Sequence, residues 1–448
     1  MEKFPLSPLD ELVHMSYPGF LFSFTPEKPE DCISALQNAV KSLLPALPFL
    51  AGEVIPRPGL QSSGVEGINN VSHVVLPSCQ DPAHTFLTVK HHNTRMPSAL
   101  RLGEHSSSSS ADANDDLYPL PIFLHPSEKT PTFRMQANIF LDGGIALGLN
   151  LCHRVLDGKA TYRIIQLLAQ CCCEPQTSLA PFSTEQQNGL RKAIFLHQPE
   201  PESLRDFPTQ VIAPEPTPLA NPQQSSQLPP SPHTRRFLFS AAAVKSLHNR
   251  CSQTIHTSFV SRGDILTSAV SIAIARTRTK LGRGSCSVDI SMAVDLRNRL
   301  SSPISKDYLG NMSVPNSQSC LNTELEKQTD DISQVAHVAS LLRQGITSMD
   351  EGWLDSLLSD KKDKDTTLGV LNIVHTNLRE MPFYNLDFGP QFGKMTNVNA
   401  FLGPVDGLVI IHPERTGIED PAWEVQISLN AEELDLLSRD FLIGQLMN

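Results

Sequence analysis

Between positions 135 and 141 apolar residues alternate with polar ones as in a half-buried strand. Asp142-Gly143-Gly144 then reads as a turn, and Ile145, Leu147 and Leu149 resume the alternation. Past Gly158 the period changes, with Ala160, Ile164, Leu167 and Leu168 at helical spacing. The intervening His153-Arg154-Val155-Leu156-Asp157-Gly158 therefore lies on a loop between a strand end and a helix start. Upstream, Ile33, Leu36, Val40, Leu43 and Leu44 repeat at helical spacing after Pro29, and Pro45 is the expected stop. Downstream, 236–239 reads as a strand and Ser261-Arg262-Gly263-Asp264 as a capping box opening a helix through Ile265, Ala269, Ile272 and Arg276. Val288, Ile290, Met292 and Val294 alternate into Asp295. Two further strands are expected at 407–411 and 424–429, with a helix from Ala431 onward.

The pattern breaks in two places. The stretch 105–116 holds five consecutive serines followed by Ala, Asp and Asn, which is too polar to bury and reads as a surface insertion. From Pro199 to Pro232 there are ten prolines in 34 residues, mixed with Gln and Ser; such density argues against both ladder and helix and marks an interdomain crossover. At 448 residues the chain is too long for one ordinary core. Strands and helices recur on both sides of the crossover, without a dinucleotide glycine fingerprint or a Walker loop. The reading is α/β, with an N-terminal domain over 1–198, a linker over 199–235 and a C-terminal domain over 236–448.

Composition narrows the partners. A net charge of −11 and a pI near 5.7 argue against nucleic acid, whose phosphates require a basic face. No apolar run approaches the ~20 residues that cross a bilayer, and Met1-Glu2-Lys3-Phe4-Pro5 lacks a signal-peptide core, so a cytoplasmic protein without a membrane partner is expected. Nine irregularly spaced cysteines, Cys171-Cys172-Cys173 among them, form neither a CxxC zinc pattern nor a disulfide framework; buried or free thiols and no metal are expected.

Chemistry is carried by the loop at 153–158. Imidazole titrates nearest cellular pH of any side chain, and a loop end presents it to a cleft, so His153 is a sensible general base. Two roles are open for Asp157: orienting the imidazole, or pairing with a distant Arg to hold the loop in shape. The plain alternative is an Asp that caps the following helix.

A second segment lies far downstream, Asp387-Phe388-Gly389-Pro390-Gln391-Phe392-Gly393. HxxxDG followed by DFG-x-x-x-G resembles the BAHD acyltransferases, most closely their fungal, trichothecene O-acetyltransferase-like branch. Four more marks stand in family order: Leu6-Ser7-Pro8-Leu9-Asp10, Leu44-Pro45-Ala46-Leu47-Pro48-Phe49-Leu50-Ala51-Gly52, Asp295-Leu296-Arg297-Asn298-Arg299-Leu300, and Tyr308-Leu309-Gly310-Asn311. Two departures are visible. Pro390 stands where plant members carry Trp, and 375–378 reads His-Thr-Asn-Leu where they carry an upstream Trp. Condensation domains share the first motif but show two adjacent histidines, whereas Cys152 precedes His153. The kinase use of DFG lacks its glycine-rich loop and catalytic-loop motif here.

The resemblance implies two similar chloramphenicol-acetyltransferase-like domains with mixed sheets and a tunnel between them. It implies that His153 deprotonates an acceptor hydroxyl, which attacks the thioester of acetyl-CoA or another acyl-CoA in a ternary complex, with no permanently bound cofactor. Asp157 would be structural and pair with Arg297, or failing that Arg299. Asp387, with turns at Gly389 and Gly393, would shape a loop near the CoA channel. Thr376 and Asn377 are candidates for oxyanion or acceptor contacts. The stretch Lys245 to Arg283 carries seven Lys or Arg against one acid, Asp264, which makes Lys245, Arg250 and Arg262 candidates for CoA phosphates; the alternative is that Arg276, Arg278, Lys280 and Arg283 offset a helix dipole. His14 and His375 are weaker candidates along an acceptor channel. The expected function is O-acetylation of a fungal secondary metabolite by a monomer. The alternatives are N-acylation, or a condensation-type or inactive relative that binds a carrier protein or ligand.

Overall fold

The computed structural model describes residues 3–55, 72–76, 86–102, 116–124, 129–174, 179, 184–195, 212–214, 232–255, 259–299, 307–360, 366–368, 372–403 and 405–447. The serine-rich expectation at 105–116 falls outside them except for Asp116, and so does most of the proline-rich segment.

Two mixed sheets dominate the described residues. In chain order the strands are β1 (Lys3–Pro5), β2 (Gly19–Phe24), β3 (Glu53–Ile55), β4 (His73–Val75), β5 (Leu87–His92), β6 (Phe133–Phe140), β7 (Ile145–Leu151), β8 (Ile212–Pro214), β9 (His233–Phe239), β10 (Ser287–Asp295), β11 (Ser313–Leu321), β12 (Thr366–Leu368), β13 (Ile373–Asn377), β14 (Met395–Phe401), β15 (Leu408–Ile411) and β16 (Trp423–Leu429). One sheet has the order β14-β2-β7-β6-β5 and the other β11-β10-β13-β15-β16-β9. A small three-stranded sheet, β1-β4-β3, and the β12-β8 pair complete the set.

Strand position follows from sequence. β2 and β7 bury every residue and sit side by side inside the first sheet, whereas β6 alternates in part, as its polar positions predict. The β6–β7 turn falls at Asp142-Gly143-Gly144, where Gly143 has φ +78°. Gly148 in β7 is required by proximity: a Cβ there would lie 2.1 Å from the Leu117 carbonyl oxygen.

Three elements differ from expectation. The first helix, Pro29–Ala46, passes through Pro45, because a proline in the last turn forfeits a single intrahelical hydrogen bond. The proline-rich crossover is not free of ladder: β8 pairs antiparallel with β12, tolerating Pro214 because that residue ends a strand of a two-stranded ribbon. Finally, β14 belongs by sequence to 236–448 but is added to the first sheet beside β2. The chain boundary at 235 is thus not a boundary between sheets.

The larger core gathers Phe22, Phe24, Leu147 and Ile165 with Phe388, Phe392 and Val398 from the far end of the chain. A second core is formed by β9, β10, β13, β15 and β16 against the helices Arg262–Lys280 and Asp331–Ser348. Between them a third cluster joins Leu9 and Leu12 to Leu296, Tyr308 and Met312. Among the described residues, no helix is long and apolar enough to cross a membrane.

Candidate active site

β7 ends at Leu151, and the next residues turn sharply, with Val155 and Leu156 N–H groups both donating to the Cys152 carbonyl. The chain then enters the helix Gly158–Cys173, with Asp157 as N-cap accepting the Ala160 N–H at 2.8 Å. His153 is placed by its backbone. Its N–H donates to Ser16 O at 2.8 Å, and its carbonyl accepts Asn311 Nδ2 at 2.9 Å. The Arg154 guanidinium donates to Val13 O and the Cys152 N–H to Thr132 O. Donors and acceptors from both halves of the chain therefore fix one five-residue turn.

The imidazole is half-buried. Its Nδ1 is shut off from solvent and has no hydrogen-bond partner among the described residues, which leaves Nε2 as the nitrogen able to meet a substrate. Cys152 offers no competing nucleophile: burial pushes its thiol up to about 11.

Asp157 is wholly buried yet well satisfied. Besides the Ala160 N–H, its carboxylate accepts Arg297 Nη1 at 2.9 Å and Nη2 at 3.1 Å, the Met312 N–H at 2.9 Å and the Ser313 hydroxyl at 3.2 Å. Burial alone would raise this carboxyl. The Arg297 guanidinium and the N–H donors outweigh it and hold the group below the usual carboxylate range. Burial likewise opposes the charged form of Arg297, but Asp157 and Asp295 push that guanidinium further up. Arg297 also donates to the carbonyls of Tyr308 and Gly310, so both partners of the ion pair tie down 308–313. Helix cap and ion-pair partner are one role here, not alternatives. Arg299 turns instead to the Ile346 carbonyl.

A parallel layer went without assigned roles in the sequence. Asp10 is buried and accepts the Asn311 N–H at 2.8 Å and Asn311 Nδ2 at 3.0 Å, so Asn311 links it to the His153 carbonyl. The Gln187 side chain accepts the Leu309 N–H and donates to Asp307 O. Arg191 lies over the Phe4 ring at 3.8 Å, has no hydrogen-bond partner among the described residues, and reaches Asp10 only at 3.8 Å. Burial accordingly raises the Asp10 carboxyl despite Arg191, Asn311 and Ser7. The family-ordered segments at 6–10 and 308–311 carried this signal, but only contact across 301 residues of chain gives it meaning.

The remaining candidates are dispersed. Thr376 and Asn377 end β13, where Asn377 Oδ1 accepts the Arg379 N–H. Just beyond them, Leu378 and Met381 face Gly158, since a Cβ on that glycine would meet Met381 Cε at 3.6 Å. The DFG segment lies at the other end of the Gly158 helix. Asp387 accepts its own Gly389 N–H, Cys173 donates to Asp387 O, and Gln391 donates to Cys172 O. His375 is sealed against the Ser271 hydroxyl at 2.8 Å, and burial pushes it down to about 3, which removes it from any channel. His14 stays half-buried, two residues before the carbonyl that holds His153.

Three of the seven cations of the basic stretch are held in ion pairs. Arg276 meets Asp331, Arg278 meets Asp406, and Arg283 meets Glu432. Lys245 and Arg250 are exposed on the helix Ala241–Thr254, with Arg250 near enough to Asp330 to help lower its carboxyl. Arg262 opens its helix at Gly263, whose Cβ position lies 3.2 Å from Asn377 Nδ2. Of the three cations, Arg262 is the one whose helix starts beside Asn377.

Comparison with known proteins agrees with this geometry. A family model described as the transferase family matches residues 1–442. Fumigaclavine B O-acetyltransferase of Penicillium roqueforti is 30% identical over 483 aligned positions, covering 99% of this chain and 97% of that protein. Communesin N16 acyltransferase of Penicillium expansum is 26% identical, with 99% and 97% covered. The crystal structure of F. sporotrichioides TRI101 complexed with coenzyme A and T-2 superposes with a TM-score of 0.74 at 18% identity, covering 100% and 99% of the two chains. The last likeness establishes the fold.

Proposed function

This chain belongs to the transferase family, the BAHD-type acyltransferases, and from that premise we propose that it transfers an acetyl group from acetyl-CoA to a hydroxyl of a secondary metabolite, with His153 as general base. The observation that carries the reading is the single open nitrogen of His153, on a turn anchored by backbone contacts from both halves of the chain.

Nε2 takes the acceptor's hydroxyl proton as its oxygen attacks the thioester carbonyl, and the C–O bond forms with charge passing to the carbonyl oxygen. Collapse of that oxyanion breaks the C–S bond, and the imidazolium returns its proton to the departing CoA thiolate. The ring ends neutral, as it began. No acyl-enzyme is required, and holding both substrates in attack geometry supplies much of the acceleration, on the order of 7–11 kcal/mol in well-oriented systems.

Asp157 and Arg297 act as structure, keeping the base at the seam. Thr376 and Asn377 are the candidate donors for the oxyanion or the acceptor, and Arg262 is the strongest of the three cations for a CoA phosphate. Asp387 and Gly389 shape the DFG loop. The seam contacts close within one chain, which supports a monomer, and the eight described cysteines are free thiols, which supports the cytoplasm. The relative named for O-acetylation of fumigaclavine B makes hydroxylated compounds of that kind the first acceptors to try.

The test is thiol release from acetyl-CoA with a panel of such acceptors, followed by product mass. His153→Ala is expected to lose about 10²- to 10⁴-fold in rate with an unchanged melting temperature. Equal rates for variant and wild type on a good acceptor would overturn the assignment. The relative named for an N16 position favours a second reading, transfer to an amine, which the same panel resolves if it contains matched amine and hydroxyl acceptors.

A further inference from the structure

Cys320, Glu324 and His337 stand together although the sequence separates them by 4 and 13 positions. Cys320 is buried near the end of β11, and Glu324 lies in the short turn of helix Asn322–Leu325 that follows. His337 comes from the helix Asp331–Ser348, which packs on that strand. Their ligand atoms lie within 4.8 Å of one another, with Cys320 Sγ at 3.8 Å from Glu324 Oε2. His337 Nε2 is shut off from solvent and has no hydrogen-bond partner among the described residues. A zinc-sized ion held by thiolate, imidazole and carboxylate needs ligand separations of roughly 3.3–3.6 Å, given metal–ligand bonds of about 2.0–2.3 Å in tetrahedral array. The three groups need to close by at most about 1.2–1.5 Å, within the reach of side-chain rotation.

We propose that Cys320, Glu324 and His337 form a binding site for a zinc-class divalent cation, with a fourth position left for water. The chemistry is suited to a borderline-soft ion, since hard cations such as magnesium avoid a thiol and imidazole. It supplies the one partner type that satisfies all three groups together. Without metal the thiol proton points at Glu324, and burial together with that carboxylate pushes the thiol up to about 11. On binding, the S–H bond breaks, the sulfur pair goes to the metal and one proton leaves to solvent. The site stands apart from the seam: β11 runs seven residues from Ser313, which touches Asp157, to Cys320, about 23 Å at strand rise. The expectation of no metal rested on local CxxC spacing, which cannot register a ligand contributed by a separate helix.

Chelator-treated full-length protein is titrated with Co²⁺ and then Zn²⁺, following the near-ultraviolet thiolate-to-cobalt band and proton release. Wild type is expected to bind one cobalt with that band, and zinc to abolish it. Cys320→Ser should remove the band, His337→Ala and Glu324→Gln should each weaken binding at least ~10-fold, and Cys173→Ser should change nothing. Glu324→Gln keeps an acceptor for the Leu321 N–H, so it tests ligation in a chain that retains its helix cap. Absence of the band in wild type, or its survival in Cys320→Ser, would overturn the site, and neither result depends on acetyl transfer.

Discussion

The helix Gly158–Cys173 is fastened at its two ends by opposite chemistry. At its N-terminus one buried carboxylate collects five hydrogen-bond donors, two of them from Arg297, and the contacts are polar and directional. At its C-terminus, a helix length of about 24 Å away, the DFG segment docks through rings. Phe388 and Phe392 lie edge-on to Phe24 at 5.3 and 5.1 Å, and three thiols lie alongside: Cys172 is buried, Cys173 donates to Asp387 O and Cys32 to Gln391 O. The difference matches the roles proposed for the two ends. Where a base must be aimed, directional bonds fix angles; where a loop need only be held, packing suffices.

Arg297→Met tests the polar end and should have the largest effect. It leaves Asp157 buried without its cation, a loss of about 3–5 kcal/mol, and activity should fall with stability. The pH dependence should also invert. In the wild type the folded-state carboxyl is depressed, so its contribution is full above the unfolded value of about 3.9 and is lost as pH falls through the lower folded value. Without the guanidinium, burial dominates and raises the folded value, so stability is lost as pH rises through it. Urea midpoints that decline between about pH 5 and 8 in the variant but not in the wild type would show this. A flat variant profile would mean that the N–H donors alone hold the charge.

Phe388→Ala should destabilise by a similar or slightly smaller amount, about 3–5 kcal/mol for a fully buried Phe, without any such pH signature. The molecules that remain folded should keep most of their kcat, as measured below the melting transition. If kcat collapses as it does for Arg297→Met, the two ends are not separable. Asn311→Ala is smaller, about 1–3 kcal/mol, because it removes the side-chain donor to the His153 carbonyl and one of the donors to Asp10, whose bond to the backbone N–H of 311 remains. Its signature should be a lowered kcat with little change in KM.

How far these fastenings were legible differs in the same way. The alternation through β6 and β7, the turn at Gly143 and the helix after Asp157 are local, and periodicity carries them. The family-ordered segments pointed to Arg297 as a neighbour of Asp157, 140 positions away. Asp10, Gln187 and Arg191 had no such pointer beyond the segment at 6–10, because a buried polar residue looks like any surface residue until its partner is folded against it. The basic stretch was legible only in part for the same reason: charge counts along a chain omit the carboxylates that later arrive to pair Arg276, Arg278 and Arg283, and leave Lys245, Arg250 and Arg262 as candidates. The addition of β14 to the first sheet is a long-range pairing with no local mark at all.

The smallest expected effect belongs to the DFG glycines, and it separates backbone from packing at the apolar end. Gly389 has φ +94°, and a Cβ there would lie 2.9 Å from the Gln391 amide; Gly393 has φ +65° with nothing within 4 Å. Alanine at 389 therefore meets both strain and a clash with a side chain that also holds Cys172 O, and should cost about 1–3 kcal/mol. Alanine at 393 meets only the left-handed backbone penalty, about 1 kcal/mol, and Asn, which tolerates that region, should recover part of it. Thermal denaturation of the three variants would order them 389 Ala, 393 Ala, 393 Asn from least to most stable. If Gly393→Ala were the most damaging, the loop would be closing on something at 393 that the ring packing does not include, and the apolar end would no longer be a matter of packing alone.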